Sequence, residues 1–196
     1  MKHRIPSFLA LFGAFLLLTI AVPSFGPAAA QIEGNARVAG VEVKVDGGQL
    51  LAGFRLEGGF GDELQKRIDS GLPTSLVYEL ELVRARRSFF DKALAGGELR
   101  VIAMYNALTR EYLVNFKHDG NLIGSKVLRD PAELRRAMTE IAALPAFATA
   151  QRSRDERYQL RVRAELGTGT VFFFIPHTLR TDWAESAPFR LSELQG

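Results

Sequence analysis

The sequence predicts a mainly β fold, with an antiparallel β-sandwich-like core and two short helices. Apolar and polar residues alternate with a period of two through most of the chain, which is the pattern of half-buried strands. Turn-forming residues separate these runs at short intervals, as they do in hairpins. Two segments repeat apolar residues at helical spacing, so we expect about eight strands beside two helices. A two-layer α+β arrangement is the alternative.

The predicted strands begin with a hairpin. Residues 41–45 alternate, the glycine pair 47–48 interrupts them, and residues 51–56 resume the pattern. The clearest strand starts at Thr74 and places four large side chains on one face: Leu76, Tyr78, Leu80 and Leu82. The run that follows it contains the glycine pair 96–97, so we expect residues 91–97 to form a loop.

A second group of strands is predicted at residues 98–105, 110–117 and 122–128. Residues 106–109 should form a hairpin loop, because Asn and Thr side chains bond the backbone of a turn. Asp119 and Gly120 predict a tight turn, since both tolerate positive φ. We expect three side chains of the middle strand to face the core: Tyr112, Val114 and Phe116.

The last strands are predicted near the C-terminus. Residues 158–166 alternate strongly, with large apolar side chains on one face. The sequence GTGT at residues 167–170 should end this strand, and residues 171–175 form a short apolar strand before Pro176.

The two helices are predicted from their capping residues and from apolar spacing. The first should begin at Asp62, whose carboxylate is expected to cap the free N–H groups of the first turn. The second should begin with Asp130 as the N-cap and Pro131 at the first helical position. Its apolar residues follow helical spacing as far as the Leu144-Pro145 pair, where we expect the helix to end.

The first thirty residues have the layout of a secretory signal peptide. Lys2 and Arg4 precede an uncharged apolar run at residues 8–22, and the small residues at 28–30 provide an A-x-A cleavage point. We therefore expect a mature chain that begins at Gln31 in the periplasm and has no membrane span. An uncleaved segment that anchors the protein in the inner membrane is the alternative, although a spanning helix needs about 20 apolar residues.

The composition of this mature chain excludes several classes of function. Removing Lys2 and Arg4 from the 25 basic residues leaves 23 against 22 acidic ones, a balance that does not favour nucleic-acid binding. The absence of cysteine excludes disulfides, thiolate metal sites and thiol nucleophiles. The length favours one domain, which we place at residues 41–191, between a lead at 31–40 and a tail at 192–196.

Several motifs occur in a distinctive order: IDSGLP at 68–73, YELELxRxR at 78–86, YNxLTRxYxV at 105–114, IxxLP at 141–145, YxxRVR at 158–163 and DWxxS at 182–186. From about Val41 to Phe189 they resemble the exported bacterial family called domain of unknown function 4390. That family usually has Trp or Tyr before the position of Asp91, where this chain has Phe90. The resemblance implies an extracytoplasmic domain of Gram-negative bacteria, often encoded beside a sensor histidine kinase, and it provides no catalytic residues.

The residues that could support catalysis or metal binding do not form a recognisable site, so we expect a protein that is not an enzyme and has no cofactor or metal. His118 lies in the predicted HDGN turn and His177 follows Pro176, where solvated loop histidines are expected, and a zinc site needs about four ligands. No G-x-S-x-G nucleophile and no phosphate-binding glycine loop occurs. An unrecognised hydrolase is the remaining alternative.

Glu79 and Glu81 are the one pair of carboxylates with a suggestive spacing. They lie on the same face of a predicted strand, about 7 Å apart, a separation that the two catalytic carboxylates of a glycosidase could have. Arg161 and Arg163 have the same spacing on another strand, so opposite charges that face each other across strands are the favoured interpretation.

The predicted function is to bind a protein partner in envelope signalling or maintenance. Arginine suits contacts with carboxylate or phosphate groups. The candidate contact residues are Arg84, Arg86, Arg87, Asp91, Arg110 and Glu111. A solvated surface in which nearby acidic residues balance these arginines is the competing interpretation. The alternative function is to carry a small apolar or lipid ligand between the sheet and the second helix, lined by Phe172, Phe173 and Phe174.

Overall fold

The computed structural model describes residues 36–85, 93–171 and 175–194. In this part the chain forms ten strands, two α-helices and a 3-10 helix, in this order: β1 (Arg37–Asp46), β2 (Gln49–Glu57), α1 (Asp62–Asp69), β3 (Thr74–Arg84), β4 (Ala93–Asn106), β5 (Glu111–His118), β6 (Asn121–Leu128), α2 (Pro131–Thr139), β7 (Glu140–Ala148), β8 (Tyr158–Val171), β9 (Ile175–Arg180), β10 (Ala184–Glu185) and the 3-10 helix Leu191–Glu193.

The strands form two antiparallel sheets. The smaller sheet has the order β1-β2-β7. The larger has the order β10-β8-β3-β4-β5-β6, and β9 pairs with the far part of β8. All strand pairs in both sheets are antiparallel, which confirms the predicted mainly β fold with two short helices. In the described chain no helix is long and apolar enough to cross a membrane.

The core lies between the two sheets and beneath the helices. The predicted face of β3 is buried throughout, and the matching faces of β4, β5 and β8 are buried over most of their length, with Tyr105, Phe116 and Leu166 partly buried. Tyr78 lies at its centre, with its ring 5.0 Å from the ring of Phe54 in the other sheet. Its hydroxyl donates a hydrogen bond of 2.7 Å to the carbonyl oxygen of Met138 in α2. One side chain therefore connects both sheets and a helix.

Both helices begin or end differently from the prediction. Gly61 occupies the N-cap of α1 and Asp62 is the first helical residue, so the capping role assigned to Asp62 was wrong. Asp130 does cap α2, because its carboxylate accepts a hydrogen bond from the N–H of Ala132. The second helix ends at Thr139 and not at Leu144, since the following residues pair with β2 as strand β7.

Two glycine-containing segments that were expected to interrupt or end strands lie inside strands. Gly96 and Gly97 lie inside β4, opposite Glu81 and Leu80 of β3. A side chain at position 97 would come within 3.1 Å of Nε2 of His118, so glycine here permits close packing. The GTGT segment likewise continues β8, where it pairs with β9. In both places a neighbouring strand supplies the hydrogen bonds that outweigh the weak β propensity of glycine.

The two turns that precede and follow β5 agree with the prediction. Asn106 accepts hydrogen bonds from the backbone N–H groups of Leu108 and Thr109. Asp119 and Gly120 both have positive φ, 47° and 82°. Strand β1 begins at Arg37, within the segment that was predicted to be a lead. The predicted signal peptide lies outside the described residues.

Candidate partner-binding edge

The three predicted contact residues that the structure describes lie in two separate places. Arg84 ends β3, where its Nη2 atom lies 2.8 Å from a carboxylate oxygen of Glu156. Arg110 and Glu111 lie beside the other end of β4, which has 14 residues. That strand length separates the two groups by roughly 40 Å. Three other candidates, Arg86, Arg87 and Asp91, lie outside the described residues.

Arg110 and Glu111 have structural contacts of their own. Arg110 adopts a positive φ of 57° at the end of the hairpin turn. Glu111 accepts two hydrogen bonds from the guanidinium of Arg129, at 3.1 and 2.7 Å, which joins the start of β5 to the residue after β6. The hydrogen bond from Arg129 also lowers the pKa of the Glu111 carboxyl. Glu111 therefore has a role in the fold that does not require a partner.

The predicted charge ladder is present on the outer face of the larger sheet. Glu79 lies opposite Arg163 and Glu81 opposite Arg161 in the register of β3 and β8. Each carboxylate accepts a hydrogen bond from the Nε of its arginine, at 2.9 and 2.7 Å. The ring of Trp183 lies 4.3 and 4.8 Å from the two guanidinium carbons. Both glutamates are thus engaged by arginine, and the cross-strand interpretation is confirmed.

His118 is less exposed than predicted. It is the last residue of β5, and its side chain is only 16% exposed. Its Nε2 atom lies 3.7 Å from Asp119, beside Gly97 and Phe147. The expectation of a solvated loop histidine was therefore wrong. In the part of the chain that the structure describes, no three His, Asp or Glu side chains are placed to hold a metal ion.

Strand β6 carries an exposed apolar surface that the sequence did not predict. This strand is the last in the larger sheet and, among the described strands, pairs with β5 alone. Three of its apolar side chains are at least half exposed: Leu122 at 60%, Ile123 at 50% and Val127 at 61%. Leu113, opposite Val127 on β5, extends the apolar surface on the outer face. Edge strands of soluble proteins are usually short or charged, because an unpaired backbone invites another strand.

A groove opens beside this edge, between β6 and the edge strand β7 of the smaller sheet. It has a volume of about 210 Å³. Its lining is mostly apolar and comes from both sheets: Leu99, Phe116, Ile123, Gly124, Lys126, Ile141, Ala143 and Leu144. The ammonium of Lys126 lies 5.6 Å from the centre of the Phe116 ring. Among the described residues Lys126 forms no ion pair.

The sequence comparison identifies the family. Residues 33–187 match the family model described as "Domain of unknown function (DUF4390)". The chain belongs to the DUF4390 family. No curated protein and no solved structure matches the chain. The family match includes every element of this DUF4390 domain from β1 to β10.

The motifs that resemble the DUF4390 family have structural roles in this chain. Tyr112 donates a hydrogen bond of 2.8 Å to Asp69, which holds α1 against β5. Burial and the Asp69 carboxylate raise the pKa of Tyr112 to about 12. Ser186 accepts a hydrogen bond from the N–H of Leu160 and so fixes the C-terminal segment to β8. Strand β6 lies between these motifs in the sequence, so the motifs did not indicate its exposed apolar surface.

Proposed function

We propose that this DUF4390 domain is a non-enzymatic binding module that takes up an extended segment of a partner protein along strand β6. The observation that carries the proposal is the exposed apolar edge itself. An added strand would hydrogen-bond the side of β6 that pairs with no other described strand and would cover Leu122, Ile123 and Val127. Recognition of this kind gains affinity from the backbone and specificity from pockets for alternate side chains.

The groove supports a protein partner more strongly than it supports a lipid carrier. Pockets that enclose a small molecule usually measure about 300–1,000 Å³. The groove beside β6 measures about 210 Å³ and is open, which suits one large side chain. The phenylalanines suggested for a carrier, Phe172 to Phe174, lie outside the described residues.

The cellular setting forms part of the proposal. Export through the signal peptide at residues 1–30 would place the domain in the periplasm. The family resemblance makes a membrane sensor histidine kinase, or another envelope protein, the partner to examine first. Neither β6 nor its groove requires a cofactor for this role.

Photo-crosslinking in the native envelope tests the proposal. A photoreactive residue replaces Leu122 in one variant and Leu108 in a control variant. Leu108 is 95% exposed and lies at a hairpin tip away from the edge. We expect a discrete adduct from position 122 that disappears when Val127→Lys is added, because edge lysines oppose strand pairing. An adduct that survives Val127→Lys, or that position 108 gives equally, contradicts the proposal.

Hydrogen exchange then separates strand addition from mere proximity. The crosslinked segment of the partner is synthesised as a peptide and added to the intact domain. Strand addition should slow exchange of backbone amides in β6, because new hydrogen bonds protect them. Binding that leaves exchange in β6 unchanged would refute an edge-pairing mechanism.

A further inference from the structure

We infer that the segment paired with β6 presents an acidic side chain and, two residues later, a large apolar side chain. The inference rests on the proposed function and specifies the chemistry of the partner. It follows from two neighbouring features on the inner face of β6, a gap at Gly124 and the cation of Lys126, which forms no ion pair among the described residues.

The gap at Gly124 gives access to the groove. In the register of the sheet, Gly124 lies opposite Phe116 and so faces inward. A side chain at position 124 would find its nearest neighbour, the Phe116 ring, 4.0 Å away, so space is available there. An added strand would place a side chain next to this gap, above the apolar residues of β4 and β7. One Leu- or Phe-sized side chain suits the available volume.

Lys126 determines the charge of the partner residue that lies opposite it. It lies two residues from Gly124 and opposite Val114, so both residues point to the same face, roughly 7 Å apart. Its ammonium has an aromatic ring beneath it, and none of the described carboxylates pairs with it. A residue opposite Lys126 on an added strand would be within reach of this cation. An acidic side chain there completes an ion pair across the strands.

The order of the two side chains follows from strand direction. The described pairs of both sheets are antiparallel, and antiparallel pairing is somewhat more stable per residue. In an antiparallel added strand the residue opposite Lys126 precedes the residue opposite Gly124. The partner segment therefore reads acidic, any residue, large apolar, from its N-terminus to its C-terminus.

A displayed library of random nonapeptides tests this inference without knowledge of the natural partner. Selection against the intact domain should enrich the acidic-x-apolar pattern. The same selection against Lys126→Glu should enrich a basic residue at the acidic position, and selection against Gly124→Val should lose the preference for a large apolar side chain. Valine at this position fits a strand with ordinary φ and has free space. The double variant Leu122→Lys, Val127→Lys is the edge-blocked control.

Affinities of the best peptide give the quantitative criterion. Lys126→Glu should weaken binding of the acidic peptide about fivefold. It should strengthen, by a similar factor, binding of the same peptide with lysine at the acidic position. This reciprocal exchange cannot result from misfolding. Peptides that are enriched without the pattern, or with the reverse order, overturn the inference but leave edge binding in place. Enrichment that is equal for wild type and the edge-blocked control contradicts the proposed function itself.

Discussion

Replacing Tyr78 by phenylalanine should destabilise the fold through the loss of a single oxygen atom. The Tyr78 hydroxyl donates a 2.7 Å hydrogen bond to the carbonyl of Met138, and both side chains are fully buried. Because α2 ends at Thr139, the Met138 carbonyl is one of the terminal groups without a partner inside the helix. Tyr78 thus caps the C-terminus of α2 from the opposite sheet.

The magnitude follows from what the substitution leaves behind. Phenylalanine retains the ring contact with Phe54, so little apolar packing is lost. The Met138 carbonyl would remain in the core without its donor, and an unsatisfied buried acceptor costs about 1–3 kcal/mol. For a domain of this size we expect the melting temperature to fall by about 3–8 °C.

Urea unfolding followed by circular dichroism measures this cost, with Tyr105→Phe as the matched control. The ring of Tyr105 contacts the ring of Tyr112 in a tilted arrangement, with the ring centres 4.9 Å apart, but its hydroxyl has no hydrogen-bond partner among the described residues. The control should change the free energy of unfolding by less than about 0.5 kcal/mol. Equal effects of the two substitutions, or a cost below about 0.5 kcal/mol for Tyr78→Phe, would refute the assignment of Tyr78 as the cap.

Three further predictions concern parts of the fold that the sequence identified. Asp130→Ala removes the side-chain cap of α2 and should cost about 1 kcal/mol in urea unfolding, whereas Asp130→Ser should restore most of it. A double-mutant cycle with Glu81→Gln and Arg161→Gln should give a coupling free energy of about 1 kcal/mol that decreases in high salt. A coupling of zero would mean that this ion pair does not stabilise the fold. Tyr112 has a folded pKa of about 12, above its unfolded value of about 10, so its contribution is complete below pH 10 and is lost between pH 10 and 12. The urea midpoint of wild type should therefore fall more steeply over that range than that of Tyr112→Phe.

The alternation of apolar residues predicted much of the fold because it reports burial directly. The predicted apolar faces of β3 and β8 are buried apart from Leu166, which is partly buried, and charge and spacing led to the expectation that Glu79 and Glu81 face arginines across strands. The errors occurred where a tertiary partner overrides local preference. The segment after Thr139 has helical spacing, but it forms the edge strand β7 because β2 offers it a ladder of hydrogen bonds.

The sequence pattern predicts that a strand forms, but it does not predict where the strand lies within a sheet. Residues 122–128 were correctly predicted as a strand, yet the sequence of one strand does not state whether both of its sides are paired. The sequence also does not show whether another element covers Leu122 and Val127, which are exposed in the structure. The sheet order and the exposure of these side chains both come from the structure, so the candidate site required it.

Lys126 has two possible roles at this edge, and they can be separated. A charged side chain that points inward from an edge strand protects against self-association, and this would suffice to explain a lysine there. Under protection alone, Lys126→Glu keeps a charge, has the same oligomeric state as wild type and binds the same partner segment. Under the binding role, Lys126→Glu also keeps the wild-type oligomeric state but loses the acidic segment, whereas Lys126→Leu removes both functions and should form larger species than wild type in sedimentation velocity. The groove beside Lys126 favours the binding role, because protection by itself does not require an apolar gap at Gly124.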